Sequence, residues 1–398
     1  MLSVEEARAR IQAALSPLGS ESVPLDAALG RILAADVTAQ VTQPPADLSA
    51  MDGYAVRAAD AAQVPVALTV IGEAPAGGAY AGTVGPGQAV RIFTGAPLPA
   101  GADAVVIQED TERAADKITV KAGARLGENV RYAGLDFYKD AVLLAKGRRL
   151  AARDISLAAA GNNPRLEVGR RPRVAILATG DELVNPGDPI GPNQIVSSNG
   201  VGLSAFVRAH GGEPVDLGIA PDDAQSLKRM AQGAAGADLL VTIGGASVGD
   251  RDLIQQVLGQ AGLVVDFWKI AMKPGKPLIF GHFNGTPMIG LPGNPVSALV
   301  CALLYLGPAI NRLQGGVESA PRQIRARLGS DLKANNFRAD FIRAKLTTNA
   351  DGEQVATAFA VQDSSMLSLL SQADGLIRRP PDAPAANAGD WADVVLLD

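Results

Sequence analysis

The chain carries one cysteine and two histidines among its 398 residues. A single cysteine excludes intramolecular disulfides and thiolate metal clusters. Cys301 lies in the apolar run Val300-Cys301-Ala302-Leu303-Leu304, the setting of a buried structural thiol and not of a nucleophile. With only His210 and His282, a multi-histidine metal site is not expected. No stretch reaches the roughly 18–20 uninterrupted apolar residues of a membrane span. The N-terminus, MLSVEEARAR, mixes charges without an apolar run, unlike a signal peptide. The cytoplasm is therefore the expected compartment, with no membrane partner. A formal net charge of −5 argues against a general nucleic-acid binder. An anionic ligand would have to be met by local lysines and arginines and not by a global field.

What is present describes a globular chain: 47% hydrophobic and 19% charged residues, at a length that calls for about two to four domains. Ser3-Val4-Glu5-Glu6 is a capping-box pattern opening a helix that should end near Gly19. A short helical piece is expected over 27–33. From about 46 to 136 the composition shifts to Gly, Pro and Val, with short alternating runs at 66–71, 89–93, 104–108 and 117–120. These predict a small β lobe interrupting an N-terminal region of residues 1–170. Arg170-Arg171-Pro172 marks a linker. Beyond it, RVAILATG, EPVDLGIA, DLLVTIGG and LVVDFWKIA are continuous apolar runs, as expected of parallel strands buried on both faces. Helical segments alternate with them at about 198–209, 222–234 and 253–259. Residues 171–317 are thus predicted to form a doubly wound α/β domain, whose ligands sit in the crevice beyond the strand C-termini. That topology alone puts Asp181, Glu182, Asp222, Asp250 and Lys273 on functional ground. From about 318 the strands shorten again, and Asn349-Ala350-Asp351-Gly352 is a hairpin signal, which predicts a small β domain over 318–398.

Residues 239–297 concentrate the chemistry. Two buried strands each feed a Gly-rich loop carrying charge, GGASVGDRD and KIAMKPGKP. IGLPGNPVS then turns into an apolar helix with Asn294 as N-cap and Pro295 at the first helical position. The loops leave Asp250, Asp252, Lys269, Lys273 and Lys276 near one end of the sheet. Acids and lysines beside glycines that let backbone N–H groups approach a ligand suit a phosphate-bearing substrate with a divalent cation. Any one loop alone also reads as an ordinary αβ turn with surface lysines; three in succession weigh against that. Thr179-Gly180-Asp181-Glu182-Leu183 follows the first strand. Adjacent carboxylates on a loop face different directions, so at most one is expected to enter a site.

SVGDRD, KPGKP and LPGNPVS, in this order and spacing, resemble the signature of the molybdopterin molybdenumtransferases. These enzymes insert molybdenum into adenylylated molybdopterin, and the gephyrin E-domain belongs to the same family. SAMDGYA at 49–55, TGAPLP at 94–99, GADAVV at 101–106, GENVR at 127–131 and GLD at 134–136 agree, so the resemblance covers nearly the whole chain. It implies the inserted β lobe, and an elongated homodimer whose site combines the α/β domain of one subunit with the N-terminal region of the other. The reaction it implies releases AMP, with molybdate and adenylylated molybdopterin as substrates and Mg²⁺ as the metal.

Carried onto this sequence, the resemblance gives Glu182, Asp222, Asp250 and Asp252 to metal or water positioning. Lys269, Lys273 and Lys276 go to phosphate or molybdate, and Asp52, Thr94 and Asp136 form the group supplied across the dimer. The catalytic set is then Asp52, Thr94, Asp136, Glu182, Asp222, Asp252 and Lys273. Ligand contacts are expected from Gly180, Asp181, Gly244, Gly245, Ser247, Gly249, Asp250, Lys269, Pro274, Gly275, Lys276, Pro292, Gly293, Asn294 and Pro295. Gln362-Asp363-Ser364-Ser365-Met366 resembles the C-terminal motif, but Asp363 and Ser365 stand where glycine is common, so Ser364 and Ser365 are both candidates. Ala246 for the usual Val, and Phe137-Tyr138 after Asp136, are further departures. Two other readings stay open. A molybdopterin adenylyltransferase uses a related α/β domain but usually consists of that domain alone. A non-catalytic dimeric scaffold is the other, against which the filled acidic and lysine positions speak. Beyond a second copy, other proteins of the cofactor pathway are the partners this suggests.

Overall fold

The four long apolar runs become strands of a single six-stranded sheet in the computed structural model, which describes residues 1–244, 253–317 and 320–397. Across the sheet the order is Glu213–Ala220, Arg173–Thr179, Leu239–Ile243, Thr286–Leu291, Ile279–Phe283, Leu263–Phe267. The first four are mutually parallel. Alternation along Arg173–Thr179 divides the core into two. Val174, Ile176 and Ala178 face one side with Leu203 and Val207 of the helix Asn199–Ala209 and with the helix Pro295–Leu313. Ala175 and Leu177 face the other with Leu227 and Ala231 of Ala224–Ala231 and with Ile254 and Leu258 of Leu253–Gln260. Helices on both faces of a mostly parallel sheet make this a doubly wound α/β domain, as predicted.

LVVDFWKIA departs from the expected doubly buried parallel strand. Leu263–Phe267 lies at the sheet edge, pairs antiparallel with Ile279–Phe283 and leaves Val264 72% exposed. The reason is a hairpin the apolar runs do not announce. Asn284 and Gly285 both take positive φ and close a tight turn between Ile279–Phe283 and Thr286–Leu291. EPVDLGIA lies at the opposite edge, half-buried.

Pro295–Leu313 is long and apolar enough to cross a membrane, yet 89% of its apolar window is buried inside the protein. Its α-helical turns enclose a π stretch, Ala302–Leu306. Val4, Ala7 and Ile11 of the capped helix Val4–Ala14 bury in the same core, so the first helix is part of the α/β packing although its chain belongs to the N-terminal region. Burial of Val4 and Ile11 contributes about 1.5–3 kcal/mol each.

The rest of the N-terminal region is a set of nested antiparallel ladders: Ser20–Pro24 with Arg165–Gly169, Val37–Thr38 with Val142–Leu144, and Leu48–Ser49 with Val130–Arg131. The chain runs outward along one side of these ladders and returns along the other. Between them lies a six-stranded β lobe with Gly53–Val56 and Gln88–Ile92 near its centre. The helical piece expected over 27–33 is a single 3₁₀ turn, Leu25–Ala27. Gly30, at φ +73, breaks it, and Ile32 and Leu33 instead bridge to Arg149 and Val168. At the other end of the chain, Ala339–Thr348, Gln354–Ala358, Gln323–Leu328, Trp391–Leu396 and Gly375–Arg379 close into a small barrel. The α/β domain adds Met272–Lys273 to its edge.

Gly53 shows how tightly the β lobe is built. It pairs with Ile92 on one side and Ile107 on the other, and a Cβ there would lie 2.0 Å from the Val106 carbonyl oxygen. We expect Gly53→Ala to cost about 2 kcal/mol or more. Gly259→Ala, in the helix Leu253–Gln260 where a Cβ meets nothing within 4 Å, should instead stabilise by about 0.5–1 kcal/mol. Urea unfolding of both variants checks this, and equal effects would contradict it.

Candidate functional site

From Arg173–Thr179 the chain crosses to Glu213–Ala220 on one side of that strand, then back over it to Leu239–Ile243 on the other. Adjacent strands whose connections run to opposite sides leave a crevice at their C-terminal ends, where the crossing direction reverses. A cleft of about 1020 Å³ opens there. Of the residues singled out from sequence, Gly180, Asp181, Glu182, Asp222, Gly244, Pro292, Gly293, Asn294, Pro295 and Ser365 line it. Both strand ends exit through glycine. Gly180, at φ +147, has the Glu182 carboxylate folded over it, where a Cβ would come within 2.6 Å. Gly244, at φ +87, comes within 2.9 Å of the Thr179 carbonyl oxygen by the same measure.

One wall is acidic. The Asp222 backbone N–H donates to Asp181 Oδ1 at 3.0 Å, which holds the ends of two adjacent strands together. Burial raises the Asp222 pKa above its ordinary value, a backbone hydrogen bond from Asp181 opposes this, and the Asp181 and Glu182 charges raise it further. Asp181 and Glu182 both line the cleft, contrary to the expectation that at most one would. The loop closes on itself through Leu183 N–H to the Gly180 carbonyl, so both acids are kept at the rim. Among the described residues no group of three or more His, Cys, Asp and Glu side chains is arranged to hold a metal ion. Asp250 and Asp252, like Gly245, Ser247 and Gly249, lie outside the described residues.

Two helix N-termini also line the cleft. Ser198 and Asn199 open one helix and Asn294 and Pro295 the other, bringing partial positive charge to it. Asn199 Nδ2 donates to the Gly293 carbonyl at 2.7 Å and fixes the two ends against each other. Asn294 occupies the N-cap position, but its side chain makes no capping bond. Its Nδ2 donates instead to Ser364 Oγ at 3.0 Å, and Val296 N–H donates to the Ser364 carbonyl. Ser364 thus docks the C-terminal domain onto the cleft, while Ser365 lines it and donates its hydroxyl to Asp363 Oδ1 at 2.6 Å.

Arg343 holds that serine loop, and sequence reasoning missed it. Only 1% exposed, it donates from Nη1 to the Met366 carbonyl, from Nη2 to the Asp363 carbonyl and from Nε to Gln362 Oε1. The signal was available: Ala339, Phe341 and Arg343 alternate as buried positions in the first half of the strand, and an arginine stands where the pattern asks for an apolar residue.

The remaining residues singled out lie elsewhere. Lys269, Lys273, Pro274, Gly275 and Lys276 do not line the cleft; Pro277 is the residue of that loop that does. Met272–Lys273 is drawn into pairing with Ala339–Asp340 of the barrel, and Gly275 packs so closely on Cys301 that a Cβ would lie 2.4 Å from its sulfur. Lys269 Nζ sits 3.5 Å over the Trp268 ring. Cys301 itself is buried, and burial raises its thiol pKa, which keeps it protonated. On the β lobe, Asp52 Oδ1 accepts both the Thr94 N–H at 2.8 Å and the Thr94 hydroxyl at 2.7 Å, bonds that lower its pKa. Asp136 is exposed on a neighbouring loop, its backbone N–H donating to the Gln43 carbonyl. None of these three lines the cleft.

Family models match the chain in three consecutive segments: MoeA N-terminal region (domain I and II) at 2–161, probable molybdopterin binding domain at 175–312, and MoeA C-terminal region (domain IV) at 325–397. A molybdopterin molybdenumtransferase from Nostoc sp. is 40% identical over 82% of this chain and 77% of its own length. Molybdopterin molybdenumtransferase 2 from Mycobacterium tuberculosis is 36% identical over 99% of both chains. A crystal structure of the molybdopterin biosynthesis moeA protein from Pyrococcus horikoshii superposes with a TM-score of 0.87 at 29% identity, covering all of both chains. With relatives matched end to end, through the central domain that holds the cleft and through both flanking regions, the chain belongs to the molybdopterin molybdenumtransferase family.

Proposed function

We propose that this protein inserts molybdenum from molybdate into adenylylated molybdopterin with release of AMP, acting as a cytoplasmic homodimer. The observation that carries the reading is the switch-point cleft, lined by carboxylates and by two helix N-termini, with a serine loop from a third domain closing it. The helix N-termini suit a phosphate, and the cleft is large enough for an extended substrate. Full-length similarity to relatives of that name favours this activity over an adenylyltransferase made of the central domain alone.

Hydrolysing a phosphoanhydride requires a positioned water and cations to spread charge over the phosphate oxygens. Glu182, at the rim and free of the backbone bond that engages Asp181, is proposed to orient the water. Burial first, and then the neighbouring Asp181 and Glu182 charges, raise the Asp222 pKa, and hard carboxylate oxygens gathered this way suit Mg²⁺. Glu182 and Asp222, with Asp250 and Asp252, would hold that ion, which when bound supplies charge neutralisation at the phosphates. Lys269, Lys273 and Lys276 are proposed to meet the phosphate or molybdate oxygens. Asp52, kept ionised and rigid by Thr94, is proposed to enter the partner subunit's cleft together with Asp136.

Three outcomes test this. Incubation with adenylylated molybdopterin and molybdate should release AMP, and Glu182→Gln should lower that rate by about 10²-fold or more with an unchanged thermal midpoint. ATP-dependent adenylylation of molybdopterin instead would support the rival enzyme, and no AMP release at all would support a scaffold.

Asp222→Asn should raise the thermal midpoint at pH 7 slightly, by about a degree or less, because the carboxylate is exposed and solvent screens its interactions. A carboxyl whose pKa is raised on folding favours the folded state when protonated and opposes it once ionised, so the gain should vanish as pH falls below the ordinary aspartate range. A midpoint unchanged by the substitution at pH 7 would show that Asp222 does not sit in an unbalanced acidic wall.

If the site is shared between subunits, Asp52→Asn and Glu182→Gln should complement when co-expressed. Heterodimers would hold one intact site, giving about a quarter of the wild-type rate in the mixed population. Absence of complementation, with both singles inactive and dimeric, would place both residues in one subunit's site.

A further inference from the structure

The seam between the α/β domain and the C-terminal barrel holds a carboxylate that the cleft does not use. Met272–Lys273 runs parallel to Ala339–Asp340, with Lys273 directly opposite Asp340, so the two side chains leave the same face of the joined sheet. Arg379 stands opposite Asp340 on the other side. Asp340 Oδ1 is buried and accepts no hydrogen bond. A carboxylate oxygen stripped of water with no donor in its place is costly unless fixed positive charge lies near. Burial raises the Asp340 pKa, and the charges of Lys273, Arg338 and Arg379 oppose that rise, Lys273 first among them.

Arg379 is itself buried; its Nη2 donates to the Pro384 carbonyl, while its Nε, like Asp340 Oδ1, has no hydrogen-bond partner. Lys273 is different. It is exposed, it comes from the other domain, and it lies on the loop that carries Pro277 into the cleft. The lysine stem can swing, and a negative charge fixed in the barrel limits where its ammonium rests.

We propose that Asp340 is a positioning residue for Lys273: its carboxylate, held in the barrel, fixes the direction of the lysine ammonium across the domain seam and so presents that cation to the oxyanion of the substrate. Because Asp340 Oδ1 takes no hydrogen bond, the lysine is oriented by charge without being occupied by that oxygen. The inference rests on the reading of Lys273 as a contact for phosphate or molybdate. It gives the C-terminal domain a second contribution, beside its serine loop, to a site on the α/β domain.

The test is a double-mutant cycle on AMP release with molybdate varied, using Asp340→Asn, Lys273→Ala and the combined variant, with Asp340→Glu as the conservative control. Asp340→Asn should raise KM for molybdate about fivefold while leaving kcat within about twofold, and Asp340→Glu should recover most of the loss. On the Lys273→Ala background Asp340→Asn should change the rate by less than about twofold, because its target is gone. A defect that adds in full to that of Lys273→Ala would overturn the proposal, as would an Asp340→Asn enzyme equal to wild type. So would an Asp340→Asn protein that fails to fold or loses rate in step with its thermal midpoint, for then the carboxylate serves Arg379 and the barrel. If Lys273→Ala itself matches wild type, the reading of Lys273 as an anion contact fails, and the positioning role with it.

Discussion

One topological constraint governs this molecule: the second strand of the α/β sheet lies on one side of the first, and the third lies on the other. Parallel strands connected this way must send their loops apart at the C-terminal edge, and nothing can fill the gap from within the sheet. The cleft, the glycines at φ +147 and φ +87 that let the chain turn out of it, and the two helix N-termini that face it all follow from that reversal. The helix Pro295–Leu313, buried against the sheet and against Val4–Ala14, supplies the rigidity that a crevice between loops does not have by itself.

Electrostatics follow from the same arrangement. Strand C-termini and helix N-termini meet at one edge, so fixed partial positive charge is present whatever the side chains are. Asp181, Glu182 and Asp222 line the same cleft, and the first two charges oppose ionisation of the third. A substrate that is anionic at its phosphates and arrives with a cation satisfies both, which is the physical sense of the proposed chemistry.

The flanking domains act on the cleft from outside the sheet. Arg343, buried in the barrel, spends its guanidinium donors on the loop that carries Ser364 and Ser365, and Asn294 takes hold of Ser364 from the other side. Met272–Lys273 joins the barrel's edge, so the same seam sets the serine loop and a lysine. The β lobe, by contrast, displays a hydrogen-bonded Asp52–Thr94 pair away from the cleft.

Much of this was legible in the residues. Alternation and apolar runs announced the α/β domain because a strand buried on both faces has few other sequences available to it. The capping box Ser3–Glu6 and the hairpin turn at Asn349–Gly352 were legible because they depend on neighbours within a few residues. Motif order announced the family, and topology alone brought Asp181, Glu182 and Asp222 to the crevice. What the sequence could not decide is what depends on partners distant along the chain. Asn294 reads as an N-cap yet spends its amide on Ser364, 70 residues away. Lys273 of KPGKP reads as a crevice group yet is drawn to the barrel by a parallel pairing with Ala339–Asp340. Leu263–Phe267 reads as a central strand but takes the edge, because the hairpin at Asn284-Gly285 places Ile279–Phe283 between it and the rest. Local propensity fixes which elements form; the direction of a side chain at a domain seam is set only when the other domain arrives.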